Sequence, residues 1–302
     1  MKILVTGASG FIGGKLVSSL RREHEVECID KDLEICVTNY DKSTFYKYDM
    51  SDCKWIYDLP TDYDIIVHCA AQSGGYVSLI NPAIDCDWNC KATVNLIEFA
   101  KRCTDLKKII YTSSMAVYGN KRDAAEDSQL NPISYYGVSK LAAENYVKIG
   151  WHHNNIPYTI LRLWNTYGGG QDLDNPFQGM LSIYLSQALE SDTVKIKGDK
   201  ERIRDFVHVD DVVSSIILSL DRETDNQIFN VCTGLETSSE EVIRQISQSM
   251  NKELYIEQID GYKGDQYHSS GLNDKLCSYG WQPTKTVKDG IEEFLRFIGN
   301  NK

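Results

Sequence analysis

Over the first half of the chain, short apolar runs alternate with longer stretches in which apolar residues recur at helical spacing. The runs at 2–6, 25–30, 44–48, 64–69, 107–113 and 157–163 predict strands, and the stretches at 11–22, 82–102 and 135–152 predict helices. In the second of these helices Ala92, Leu96 and Phe99 share one face, while Lys91, Glu98 and Arg102 share another. Such a stripe suits packing on a sheet or on another subunit. Strands and helices in this alternation predict an α/β fold with a doubly wound parallel sheet.

The texture changes at Gly168-Gly169-Gly170 and the polar stretch 171–176, where a second region begins. It reads as a mixed α/β unit: helices at 177–190, 209–220 and 239–250, with strands at 193–197, 205–207 and 227–232. At the C-terminal end Thr286 precedes Asp289 by three residues, and Ile291, Phe294, Leu295 and Ile298 follow at helical spacing, which predicts a capped amphipathic helix over 286–298.

Composition narrows the class. The 302 residues are 42% hydrophobic, enough for a substantial core, and 32 Lys and Arg against 43 Asp and Glu give a net charge of −11. That balance argues against a nucleic-acid or anionic-membrane binder, which needs a broad positive field. No apolar run approaches the ~20 residues of a membrane span. Nine cysteines scattered through the elements predict reduced thiols, and a strand already at residues 2–6 predicts a cytoplasmic protein without a leader. Cys86 and Cys90 lie one helical turn apart, but with no second ligand pair at metal spacing they are expected to pack in the core, and no metal is expected. The five tryptophans are read as packing residues, except Trp164, which neighbours Asn165, and His152-His153 as a surface pair.

The sharpest chemical signal opens the chain. The strand at 2–6 runs into Thr6-Gly7-Ala8-Ser9-Gly10-Phe11-Ile12-Gly13 and then a helix. Glycines there allow a tight turn, close approach of backbone to a pyrophosphate, and close packing of helix on sheet. The next strand ends in Asp30, a carboxylate suited to the ribose hydroxyls of NAD and repulsive to a 2′-phosphate, although Lys31 stands beside it. A second signal is Tyr136-Gly137-Val138-Ser139-Lys140, whose Tyr and Lys share a helix face. Lowering a phenol's pKa by ~3 units takes about 4 kcal/mol, which Lys140 and an oxidised nicotinamide could supply. Tyr135 has only Ser139 four residues on, so Tyr136 is the candidate acid/base.

With these residues the chain resembles the extended short-chain dehydrogenase/reductases, and within them the NAD-dependent nucleotide-sugar epimerases and dehydratases. The resemblance covers nearly the whole chain. Its pieces include the glycine turn, Asp49-Met50, Val67 through Ala71, Asn89, Ser113 through Gly119, Pro132 through Lys140, Asn165, Arg204 through Asp211 and Gly280 through Pro283. It implies a Rossmann-type NAD-binding domain over 1–164, to which 205–232 returns, and a nucleotide-sugar-binding region formed by 165–204 and 233–302. It also implies that Gly7, Gly10, Phe11, Ile12, Gly13, Asp30, Asp49, Met50, Ala70, Ala71 and Asn89 line the dinucleotide. Ser114, Tyr136 and Lys140 would be the catalytic set: Ser114 on the sugar oxygen, Tyr136 exchanging its proton, Lys140 on the nicotinamide ribose.

For the substrate, a nucleotide-diphosphate sugar, the resemblance implies contacts from Ser114, Asn165 and Arg204. Arg204 closes a basic run that includes Lys195, Lys197, Lys200 and Arg202, interspersed with acids as on a solvated strand edge. Where many relatives carry a second diphosphate-gripping arginine this chain has Tyr262, leaving Lys263 as the residue that could take its place. His208, inside the carried-over motif, is read as structural. Met115 and Ala116 follow Ser114, where family dehydratases and decarboxylases carry acids. Neither moves a proton, so hydride chemistry at a single carbinol remains. The leading expectation is a 4-epimerase that works through a 4-keto sugar; the alternatives are a 4-keto reductase or dehydrogenase and a non-catalytic dinucleotide-binding protein. The resemblance also implies a homodimer through the helices at 82–102 and 135–152.

Overall fold

The computed structural model describes residues 1–32, 45–177, 179–261 and 266–300. The N-terminal part runs β1 (Lys2–Thr6), α1 (Phe11–Leu20), β2 (Glu25–Asp30), β3 (Phe45–Lys47), α2 (Trp55–Asp58) and β4 (Ile65–His68). There follow α3 (Gly75–Ile80), α4 (Pro82–Cys86), a π-helical turn Asp87–Lys91, α5 (Ala92–Ala100) and β5 (Lys108–Ser114). A 3-10 turn Met115–Tyr118, β6 (Lys121–Ala124), α6 (Tyr135–Asn154) and β7 (Tyr158–Leu163) come next.

Seven parallel strands form one sheet in the order β12-β7-β5-β4-β1-β2-β3, where β12 is Gln227–Val231. Every residue of β4 and β5 is buried, as a parallel sheet covered on both faces requires. The charged Lys108 is accommodated because Nζ donates to the Ser219 carbonyl (3.1 Å) and to Thr224 Oγ1 (3.0 Å) and pairs with Asp225. From β1 the chain builds β2 and β3 on one side and then crosses to β4 on the other. The crevice for a ligand therefore opens at the carboxyl ends of β1 and β4.

The chain continues through β8 (Asn165–Tyr167), α7 (Met180–Glu190), β9 (Thr193–Lys197), β10 (Ile203–Arg204), β11 (Phe206–His208) and α8 (Val209–Leu218), the last of which packs on α1 in the core of the large sheet. After β12 come β13 (Thr237–Ser238), α9 (Ser239–Met250), β14 (Tyr255–Ile259), β15 (His268–Gly271), α10 (Asp274–Ser278) and α11 (Val287–Asn300). β6 leaves its sequence neighbours and pairs with β15 in a four-stranded sheet, while β9 pairs with β14. The start of α11 carries the reciprocal cap read from sequence: Asp289 N–H donates to Thr286 Oγ1 and Thr286 N–H to Asp289 Oδ2, both at 3.2 Å.

The stretch 82–102 differs from its expectation. It is α4, the π turn and α5 in succession, and the wider turn rotates the face that a continuous α-helix would present. Cys86 is consequently exposed and Cys90 half-buried, which corrects the expectation that both pack in the core. Ala92, Leu96 and Phe99 are buried as expected, and His152 and His153 are exposed. The eight cysteines among the described residues are free thiols. No described helix is long and apolar enough to cross a membrane.

Candidate active site

Two cavities open along the carboxyl edge of the large sheet. One, of about 240 Å³, is bordered by Gly7, Gly10, Asp30, Met50, Ala70 and Ala71, with Asp49 beside them. A Cβ on Gly13 would stand 2.1 Å from the Gly7 carbonyl oxygen, so only glycine lets α1 start this close to β1. Gly10 caps α1 without a side-chain acceptor, which leaves the positive end of this ten-residue helix, at Phe11 and Ile12, to an anion.

Asp30 Oδ2 accepts from Ser9 N–H (2.9 Å) and Oδ1 from Lys31 N–H (2.7 Å), which fixes the carboxylate at the cavity; burial pushes its pKa up against these bonds. His68 Nδ1 lies 2.7 Å from Thr6 Oγ1, and that oxygen accepts from Ala70 N–H at 3.1 Å. Burial and the Lys140 charge hold His68 down at about 3, so a neutral ring braces the loop that carries Ala70. Asn89 uses its side chain inside the protein. Its Oδ1 accepts from Gln72 N–H (2.8 Å), and its Nδ2 donates to Asp85 (3.1 Å) and Ser139 Oγ (3.0 Å), so it ties the loop after Ala71 to α6.

The second cavity, of about 640 Å³, is bordered by Tyr136, Met115, Asn165, Lys195, Lys197 and Arg204. Ser114 ends β5 and caps the following 3-10 turn, accepting from Ala116 N–H at 3.2 Å. Ser134 caps α6 by accepting from Gly137 N–H (3.1 Å), which starts the helix one residue before Tyr136. Burial pushes the Tyr136 phenol up to about 12, and its hydrogen bond with Ser114 opposes that rise. Lys140, 3% exposed, donates to the Thr112 carbonyl at 2.8 Å with Nζ 4.8 Å from the Tyr111 ring centre; burial draws it down to about 8. Tyr135 is 53% exposed and does not border this cavity.

A Cβ on Gly137 would meet the Ala116 carbonyl oxygen at 2.6 Å, so the approach of α6 to the Ser114 turn depends on that glycine. Elsewhere in a helix, Gly→Ala gains up to about 1 kcal/mol. Gly137→Ala is expected instead to lower turnover at least tenfold, because Tyr136 shifts away from Ser114. Steady-state kinetics beside a melting curve test this; full activity with higher stability would refute it.

Asn165 Nδ2 donates to the Asp205 carbonyl (3.0 Å). Arg204 is buried with its guanidinium on the carbonyls of Ile203, Tyr267 and Gln266. Tyr262 and Lys263 lie outside the described residues. Two residues were missed by the sequence reading. Arg202, there part of a solvated basic run, is 8% exposed on the cavity wall and donates to Tyr184 Oη at 3.3 Å. Trp88, there a packing residue, borders the smaller cavity. Trp164 is buried and packs on Tyr118, 5.7 Å between ring centres. His208 caps α8 by accepting from Asp210 N–H (3.3 Å), and burial lowers its pKa.

Residues 3–232 match the model of the NAD dependent epimerase/dehydratase family. The chain belongs to that family. A putative UDP-glucose 4-epimerase from Methanocaldococcus jannaschii is 33% identical, with 99% of each chain covered. A dTDP-4-dehydro-6-deoxyglucose reductase from Escherichia coli is 27% identical, covering 98% of this chain and 97% of its own. The solved UDP-glucose 4-epimerase of Thermotoga maritima with UDP-glucose superposes with a TM-score of 0.92 at 28% identity, covering 100% of this chain and 99% of its own. The Thermus thermophilus UDP-glucose 4-epimerase complex with NAD gives 0.90 at 28%, covering 99% of each. In a family dependent on NAD, the smaller cavity is where this chain's residues fit the dinucleotide: a helix N-terminus for its pyrophosphate and a carboxylate for its ribose.

Proposed function

We propose that this protein is a nucleotide-sugar 4-epimerase that keeps its NAD through the catalytic cycle. The observation that carries the reading is the pairing of Tyr136 with Ser114 at the sugar end of the larger cavity, next to two side chains, Met115 and Ala116, that cannot move a proton. Bound NAD would supply the hydride acceptor and donor for the sugar carbon. Tyr136 removes the hydroxyl proton and later restores it. Ser114 holds the same oxygen, and the Lys140 ammonium favours the ionised phenol. Asn165 and Arg204 bind the nucleotide-diphosphate part, and the width of the cavity lets the 4-keto sugar turn over before reduction.

The test is incubation with UDP-glucose, UDP-galactose and their N-acetylated counterparts, with reduced-nicotinamide absorbance and sugar stereochemistry followed together. Inversion at C4 without net absorbance change supports the reading. Steady consumption of added reduced cofactor with a keto sugar would make the protein a reductase, the activity named for the Escherichia coli relative. We also propose that a second copy covers the apolar face where Ile84, Val138, Tyr146 and Ile149 are each more than a third exposed. Light scattering on the same sample is expected to give a dimer, and a monomeric mass would exclude it.

A further inference from the structure

The smaller cavity carries two residues that neither the family motifs nor the proposed reaction use. Lys31 follows Asp30 at the end of β2, and Trp88 sits in the π turn between α4 and α5, so they approach the crevice from opposite sides. The Lys31 Nζ stands 3.3 Å from the centre of the Trp88 ring. Lys31 is exposed and Trp88 half-buried, and both border the cavity that Asp30, Asp49 and Ala70 also line.

We propose that Lys31 and Trp88 close over the adenosine half of the NAD site as a clasp, and that its opening sets the rate at which the dinucleotide leaves. An ammonium over an indole face is held by the ring's negative quadrupole, and the attraction strengthens as water is excluded. A bound adenosine supplies that exclusion while it finds a flat apolar wall in Trp88. The π turn is what makes the contact reachable, because it brings Trp88 to the cavity while Asn89, one residue on, faces the interior. An enzyme that returns its hydride to the same sugar gains from a slowly released dinucleotide, so the clasp deepens the epimerase reading. It rests on the NAD site alone, however, and is measured without any sugar, so its failure leaves that reading standing.

The experiment loads the full-length protein with NADH, chases it with excess NAD and follows loss of bound-NADH fluorescence. Trp88→Ala and Lys31→Met are each expected to speed release about tenfold. Lys31→Arg, which keeps a cation over the ring, stays within about twofold of the parent. The double variant Trp88→Ala/Lys31→Met releases no faster than Trp88→Ala, because one shared contact is lost only once. Unchanged release in Lys31→Met, or a double variant whose rate multiplies the two single effects, would overturn the clasp. Far-UV circular dichroism of each variant shows that the fold is kept, and Lys31→Met, at an exposed position, reports on the contact without disturbing the core.

Discussion

Tyr136→Phe is expected to reduce epimerisation about a thousandfold while NAD stays bound, within the range that general acid/base groups contribute. Beside Ser114, the Tyr136 phenol is the hydroxyl whose ionisation lies closer to neutrality than that of an aliphatic alcohol. Met115, Ala116, Ile133 and Ser134 border the same cavity, and the Ser134 hydroxyl is engaged as the cap of α6. In the protein alone, burial places Tyr136 at about 12, so acting as a base near neutrality requires its pKa to fall by roughly 5 units, each worth about 1.36 kcal/mol. The Ser114 hydrogen bond already pulls downward, against burial and the Asp85 charge; in the proposed mechanism the rest comes from the positive charges of Lys140 and the oxidised nicotinamide. Removing the hydroxyl leaves those charges nothing to act on. The pairing of the turnover number with NAD content after denaturation separates a chemical defect from a binding defect. Tyr135→Phe is the control, since that ring is exposed and does not border the cavity. Equal turnover in Tyr136→Phe and the parent would place the acid/base elsewhere.

What could be read along the chain is whatever is local and periodic. The strand, glycine turn and helix at 2–20 fix a phosphate cradle within one βα unit, and the Tyr136 to Lys140 spacing fixes two groups on one helix face. Three-dimensional neighbours are another matter. A π turn adds only one residue per turn, which leaves the apolar pattern of 82–102 looking continuous while it turns Cys86 outward and Trp88 toward the cofactor cavity. Arg202 sits among Asp199, Lys200 and Glu201, and such mixed charge resembles a solvated edge; its burial is decided by α7 and α9, which contribute Tyr184 and Ser239 around it. β6 has no partner nearby in sequence, and its pairing with β15 spans well over a hundred residues. The sites of missed residues are thus those where a distant element supplies the surroundings.

The same logic predicts an opposition between stability and chemistry at Lys140. Burial lowers its pKa from the ordinary 10.5 to about 8, because the ammonium has exchanged water for the Thr112 carbonyl and the Tyr111 ring. In the unfolded chain the lysine stays protonated to about 10.4. Between the two values the unfolded state binds more protons than the folded one, so stability rises with pH through that window. Below pH 8 the full penalty stands, and a shift of roughly 2.5 units corresponds to about 3 kcal/mol. Lys140→Met is therefore expected to make the NAD-free protein more stable at pH 7 by about 2–3 kcal/mol, with the gain shrinking toward pH 10. Denaturant unfolding at the two pH values measures this, and an equal change at both would show that the charge is not what burial penalises. Turnover of the same variant should fall about a thousandfold, since the proposed mechanism then lacks the ammonium that favours the ionised Tyr136. On the proposed mechanism, a destabilising ammonium is kept in the interior because proton transfer at Tyr136 needs a fixed positive charge where water cannot screen it.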